Sequence, residues 1–184
     1  SANRTDGRRS SPWPSLFPKK ISPSALVANQ REHVVLQHAH HASLYGGTGM
    51  TLPAGWEGSD HNFLGIDEPW CHPDQAGVYV LPAPYEHTSS YILGSDRGPS
   101  AILEASAQVE FYDEQLGREP FREWGGIATA TTLDLQGRVD GQAVDAIQSF
   151  VAPHVGTGRF LVTLTGEHTG ALGAIRAHAK RYPD

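Results

Sequence analysis

The chain has 184 residues, 39% of them hydrophobic and 18% charged, the balance of a folded domain with a core rather than of a disordered polymer. Its formal net charge of −6 excludes the basic footprint of a nucleic-acid binder, and its single cysteine, Cys71, excludes a disulfide framework inside the chain. No apolar run approaches the roughly 18–20 residues of a membrane span, and the polar N-terminus lacks a signal-peptide core, so a reducing cytoplasm is the expected location.

Residues 1–24 place Pro12, Pro14, Pro18 and Pro23 among Ser, Arg and Lys, which predicts an extended arm of the kind that lies on a partner subunit. The sequence opens on Ser1 rather than Met, which points to processing. A short helix is expected within 25–45, around Leu26 to Leu44, and a Gly-rich loop over 46–62. Residues 1–62 are therefore read as an N-terminal extension and 63–184 as part of an α/β domain. His33, His38, His40 and His41 cluster without the spacing or the cysteines of a structural zinc site, so they are read as a polar surface. Cys71, between Trp70 and His72, reads as a packed or surface thiol, and Trp13, Trp56, Trp70 and Trp124 as packing anchors.

From Ala76 the pattern becomes regular. Val78, Tyr79, Val80 and Leu81 make an apolar run after Gly77, which suits a buried strand of a parallel sheet. A loop is expected over 82–98. Pro99 then sits where the first helical turn wants it, and Ile102, Leu103, Ser106 and Val109 follow at helical spacing. Residues 127–130 read as a strand. Residues 140–154 read as a helix with Val144, Ile147, Phe150 and Val151 on one face. Residues 160–164 make the clearest strand, and Ala171, Leu172, Ile175 and Ala179 mark a last helix. Strand and helix in alternation predict an α/β fold around a mostly parallel sheet.

Two segments carry candidate chemistry. Thr165-Gly166-Glu167-His168-Thr169-Gly170 lies between the clearest strand and the last helix, and in open α/β sheets sites gather at the carboxyl ends of strands. His168 there is either a ligand facing a crevice or a hydrogen-bonded loop residue; a neutral imidazole suits Mn, Ni, Zn and Fe alike. Glu167 is favourably placed against the positive end of the helix dipole, whereas a cation at that end needs several carboxylates to offset it. The second segment is the long polar loop through Tyr85, Glu86, His87 and Thr88 to Gly98. It either contributes to a site or covers the sheet edge, with Gly94 and Gly98 serving turn geometry. No Ser-His-Asp or Cys-His arrangement stands out, and no residue is assigned as a catalytic acid, base or nucleophile.

The order Pro84-Tyr85-Glu86, Thr88, Ser90-Tyr91, then Gly94, Gly98-Pro99 and Ile102-Leu103-Glu104-Ala105-Ser106 resembles agmatinases and their arginase-type relatives, the ureohydrolases. Residues 108–114, Gln-Val-Glu-Phe-Tyr-Asp-Glu, continue the resemblance, and Thr165 to Thr169 is similar to that family's Gly-Gly-Asp/Glu-His-Ser segment. The resemblance covers residues 78–184, a little over half of the chain, and is specific to the superfamily rather than to a substrate. It implies a three-layer αβα fold, only part of which this chain holds. It implies that His168 is the first ligand of a two-metal centre, commonly two Mn ions with Ni as the alternative. It also implies that Tyr85, Glu86, His87 and Thr88 line the pocket of a small guanidino substrate, and that the assembly is a trimer or hexamer.

The departures matter as much. Thr165 stands for the usual first Gly, and Thr169 for the common Ser. Relatives go on to an Asp-Ala-His-x-Asp segment and later a Ser-x-Asp-x-Asp-x-x-Asp-Pro segment that supply the other ligands, and neither occurs here. In the family two ions hold a bridging hydroxide that attacks a guanidinium carbon and releases urea, and one histidine does not bind such a pair. The expectation is therefore an agmatinase-like portion that needs a C-terminal half or a second polypeptide. The alternative is a non-catalytic subunit or inactive fragment of the same fold. A sheet ending at the strand near Phe160 is expected to expose an apolar edge.

Overall fold

Six consecutive apolar residues, Val78–Ala83, form the central strand β1 of a parallel three-stranded sheet ordered β2-β1-β3. The structure, a computed structural model, describes residues 51–183. The expected arm at 1–24, the helix at 25–45, the histidine cluster His33 to His41 and Trp13 lie outside the described residues. After β1 the chain forms helix α1 (Gly98–Ser106), a short helix α2 (Pro120–Glu123) and strand β2 (Ile127–Thr129). It continues into helix α3 (Asp140–Val151), strand β3 (Phe160–Thr165) and helix α4 (His168–Arg181). β2 pairs with β1 from Val78↔Ile127 to Val80↔Thr129, and β3 pairs with all of β1, from Val78↔Phe160 to Ala83↔Thr165.

Pro82 is unusual in a central strand because it lacks an N–H. The carbonyls of Val80 and Pro82 accept from Ala130 and Leu133, so this flank of β1 faces β2 and the segment after it. β2 has ended before it draws level with Pro82, so the missing donor interrupts no ladder bond.

Alternation along β1 sets the layers. Tyr79, Leu81 and Ala83 point to one face and pack with Ala143, Ile147, Val151 and Ala177 of α3 and α4. Leu81, Ile147 and Val151 are wholly enclosed, which stabilises by about 1.5–3 kcal/mol per side chain. The other face meets α1 and a smaller cluster of Ile66, Cys71 and Phe121, against which Leu64, Trp70, Phe111 and Ile127 pack. Cys71 is a buried, packed thiol, and burial raises its pKa. Trp70 and Phe121 meet edge to face at 6.1 Å. Trp56 lies edge-on to Tyr79 at 4.6 Å and bridges to Ala130, while the Trp124 residue is 62% exposed and its carbonyl accepts the Gly77 N–H at 2.7 Å.

Two expectations change in detail. α1 stops at Ser106, so Val109 is outside it and 55% exposed. The Ser106 hydroxyl donates to the Leu103 carbonyl at 2.7 Å and accepts the Leu64 N–H at 2.8 Å, and tight i→i+3 bonds at Gln108 and Val109 close the turn. In α4 the inward face is made of Gly170, Gly173 and Ala177, while Leu172 and Ile175 are 40% and 62% exposed. Small residues bring α4 close to α3: a Cβ on Gly173 would stand 2.6 Å from the Ile147 Cβ and 2.8 Å from the Val144 carbonyl oxygen. Among the described residues no helix is long and apolar enough to cross a membrane.

Candidate functional site

Parallel pairing brings the carboxyl ends of β1 and β3 side by side, with Ala83 opposite Thr165. The two segments singled out from sequence therefore leave the same edge of the sheet as neighbours. Their junction is Gly166. A Cβ there would meet the Tyr85 carbonyl oxygen at 2.5 Å and the Ser95 carbonyl group at 2.7 Å, so both ends of the β1–α1 loop press on this one residue.

Glu167 caps the start of α4 by position, and His168 is the first residue of the helix. The Glu167 carboxylate reaches across to the β1–α1 loop. It accepts the His87 N–H at 3.2 Å, the Thr88 N–H at 3.0 Å, the Thr88 hydroxyl at 2.7 Å and the Ser89 hydroxyl at 3.3 Å. Partial burial pushes its pKa up, but donors from Thr88, His87 and Thr169 outweigh that and hold it below the usual carboxylate value. The His168 side chain is exposed and has no hydrogen-bond partner among the described residues.

The four loop residues named from sequence have different surroundings. Tyr85 is buried, and its hydroxyl accepts the Asp140 N–H at 2.9 Å at the start of α3. Its position continues the Tyr79, Leu81, Ala83 series into the core, a parity visible in the sequence itself. Glu86 accepts the Gly94 N–H at 2.7 Å, and the Ser89 hydroxyl together with that N–H holds its carboxyl at a pKa of about 2. His87 has its ring Nε2 4.0 Å from an Asp140 carboxylate oxygen. Thr88 is exposed, and its hydroxyl lies 3.5 Å from that of Thr169.

Glu86, His87, Leu93, Gly94, Asp96 and Arg97 line an open cleft of about 490 Å³ at this edge. Asp96 and Arg97 were not singled out from sequence, although both lie in the loop that was. The loop also raises Tyr91, Ile92 and Leu93 outward, at 93%, 72% and 73% exposure. Among the described residues no group of three or more His, Cys, Asp or Glu side chains is disposed to hold a metal ion. His168 is thus an available imidazole, Glu167 is engaged in holding the loop, and the cleft is lined by the Glu86 and Asp96 carboxylates and the Arg97 guanidinium.

Comparison with known proteins gives the frame. The Arginase family profile matches residues 76–184. An N(1)-aminopropylagmatine ureohydrolase of Synechocystis is 43% identical over 106 residues, covering 55% of this chain and 34% of that protein. A Thermus thermophilus protein of the same description is 33% identical over 105 residues, covering 57% and 35%. An agmatinase of Bacillus anthracis is 32% identical over 115 residues, covering 61% and 39%. The matches therefore span between 34% and 39% of these curated relatives' length. A solved structure of a candidate agmatinase from Clostridium difficile superposes with a TM-score of 0.54 at 19% identity, over 60% of this chain and 40% of that one, which is a likeness of fold.

Proposed function

The chain belongs to the arginase family, and on that premise we propose that it supplies one part of an agmatinase-like ureohydrolase, an enzyme that hydrolyses a guanidino compound to urea and an amine. The observation that supports this reading is the shared exit of β1 and β3, which sets an exposed His168 at the first position of α4, beside the polar β1–α1 loop. An imidazole without a hydrogen-bond partner among the described residues, at the carboxyl edge of a parallel sheet, is suited to ligation.

Family membership implies a centre of two metal ions, with manganese as the proposed metal and nickel as the alternative. The donor set in residues 51–183 does not fit such a pair: no group of three or more His, Cys, Asp or Glu side chains converges there, and both oxygens of Glu167 accept from the loop. Paired divalent ions need several carboxylate or imidazole ligands between them. No catalytic step is assigned to metal within these residues. In this reading the remaining ligands come from polypeptide beyond them, either further along a longer chain or on a second one.

The substrate is proposed from the relatives, whose names point to agmatine and N(1)-aminopropylagmatine. Both carry a guanidino group on a cationic chain. In the cleft, Glu86 and Asp96 supply negative charge for such a chain and His87 a polar edge, while Thr88 lies on the same loop and Tyr85 supports that loop from inside. Assembly as a trimer or hexamer and a cytoplasmic location belong to the same reading.

The test is urea release by the native assembly from agmatine, N(1)-aminopropylagmatine and 4-guanidinobutyrate. Release from at least one of them, reduced about 100-fold or more by His168→Ala, is the expected result. Full activity after that substitution contradicts the assignment of His168. No urea from any guanidino compound, in an assembly with its metal present, favours a non-catalytic module of the same fold.

A further inference from the structure

The Glu167 side chain stands at the amino end of α4, yet its hydrogen-bond partners lie 78 to 80 residues earlier in the chain. Two of its donors are backbone N–H groups of His87 and Thr88, the third is the Thr88 hydroxyl, and the Ser89 hydroxyl, 3.3 Å away, has one proton to divide between Glu167 and Glu86. His87, Thr88 and Ser89 meet Oε2, and the Thr88 hydroxyl meets Oε1 at 2.7 Å, so both oxygens accept from the loop. Bonds to a charged acceptor are roughly twice as strong as neutral ones. The loop they hold has little else to keep it down, because Tyr91, Ile92 and Leu93 all project into solvent. Its far end is fixed separately, by the Gly94 N–H to Glu86 and by Ser95 against Gly166.

We infer that Glu167 is a positioning residue: it clasps the near end of the β1–α1 loop onto the start of α4, fixing the cleft wall at His87. A backbone N–H pair and the Thr88 hydroxyl converge on one carboxylate. They also tie the loop's path to the helix that begins at His168. The clasp stands on hydrogen-bond geometry alone and does not depend on His168 binding metal.

Exposed Tyr91 and Leu93 make the clasp readable with chymotrypsin, which cleaves after such residues when a loop opens locally. The experiment is timed limited proteolysis of the full chain, with the cut sites identified by mass and the melting temperature recorded for every variant. Glu167→Gln keeps the shape of the side chain but removes the charge and half of its accepting capacity. It is expected to speed cleavage after Tyr91 and Leu93 about tenfold, with the cuts confined to that loop. Glu167→Asp restores a doubly accepting carboxylate and is expected to return protection to within about threefold of the wild type. The paired change Thr88→Val with Ser89→Ala tests the clasp from the donor side, at surface positions that do not endanger folding, and is expected to accelerate the same cuts. Wild-type cleavage rates in folded Glu167→Gln, wild-type rates in the Thr88/Ser89 double variant, or Glu167→Asp no better protected than Glu167→Gln would each overturn the inference.

Discussion

β1 and β3 have the same length and direction and pair in register from end to end, yet their surroundings differ. β1 has a strand on each side, and five of its six residues are buried. β3 is paired on one side among the described residues, is partly exposed along its length, and begins with Phe160 at 64% exposure. The two strands differ in pairing, on two sides against one among the described residues, and in enclosure, and enclosure is where most of the favourable free energy of folding lies. Stability resides in β1 and the face it shares with α3, while the segment proposed to carry chemistry follows the less enclosed strand. Sites that must meet other groups belong at such an edge.

The comparison can be broken most sharply at Ile147, which is wholly buried against β1. Ile147→Ala should cost about 2–5 kcal/mol, read as a lower urea midpoint with an unchanged slope. A loss below about 1 kcal/mol would mean that the core is not where stability is concentrated. Next comes Gly173, where α4 touches α3. Alanine is the better helix former, but its Cβ would stand 2.6 Å from the Ile147 Cβ and 2.8 Å from a backbone oxygen that cannot easily move. Overpacking should win, with a net loss of about 1–3 kcal/mol by the same assay. Phe160→Ala, on the exposed start of β3, should cost under about 1 kcal/mol; a loss comparable to that of Ile147→Ala would remove the contrast between the strands.

The smallest expected effect is a pH dependence at the loop. The Glu86 pKa is lowered from 4.5 to about 2 by the Ser89 hydroxyl and the Gly94 N–H. A carboxylate whose folded pKa lies below its unfolded value contributes stability above the unfolded pKa and loses it as pH falls through the folded one. Wild type should therefore lose stability between about pH 4.5 and 2 more steeply than Glu86→Gln. Parallel curves for the two proteins would show that the carboxylate does not anchor the loop as described.

Much of this arrangement is legible in the sequence. The apolar runs at β1 and β3 stand out because buried parallel strands leave little room for polar residues, and Pro99 marks the start of α1 through its fixed φ. The buried face of α4 is harder to read. Leu172 and Ile175 mark a helix by their spacing, but close approach to α3 selects Gly170, Gly173 and Ala177 for the inner face, and small residues leave no hydrophobic signal. In the site, His168 is placed by a rule about strand ends. Tyr85 turns inward by strand parity, a signal that the polar residues around it obscure. The partners of Glu167 are out of reach of any local pattern, because they lie some 80 residues away and meet it only when β1 and β3 pair.

Metal content measured on the native assembly, purified without denaturant and with the mass of every polypeptide in it recorded, tests the central claim most directly. The account predicts about two divalent ions per copy of this chain, with ligands supplied in part by polypeptide beyond residues 51–183. It also predicts that His168→Ala lowers that to less than one while the chain stays folded. A folded His168→Ala assembly with the full complement of metal, or a wild-type assembly that takes up none, would contradict it.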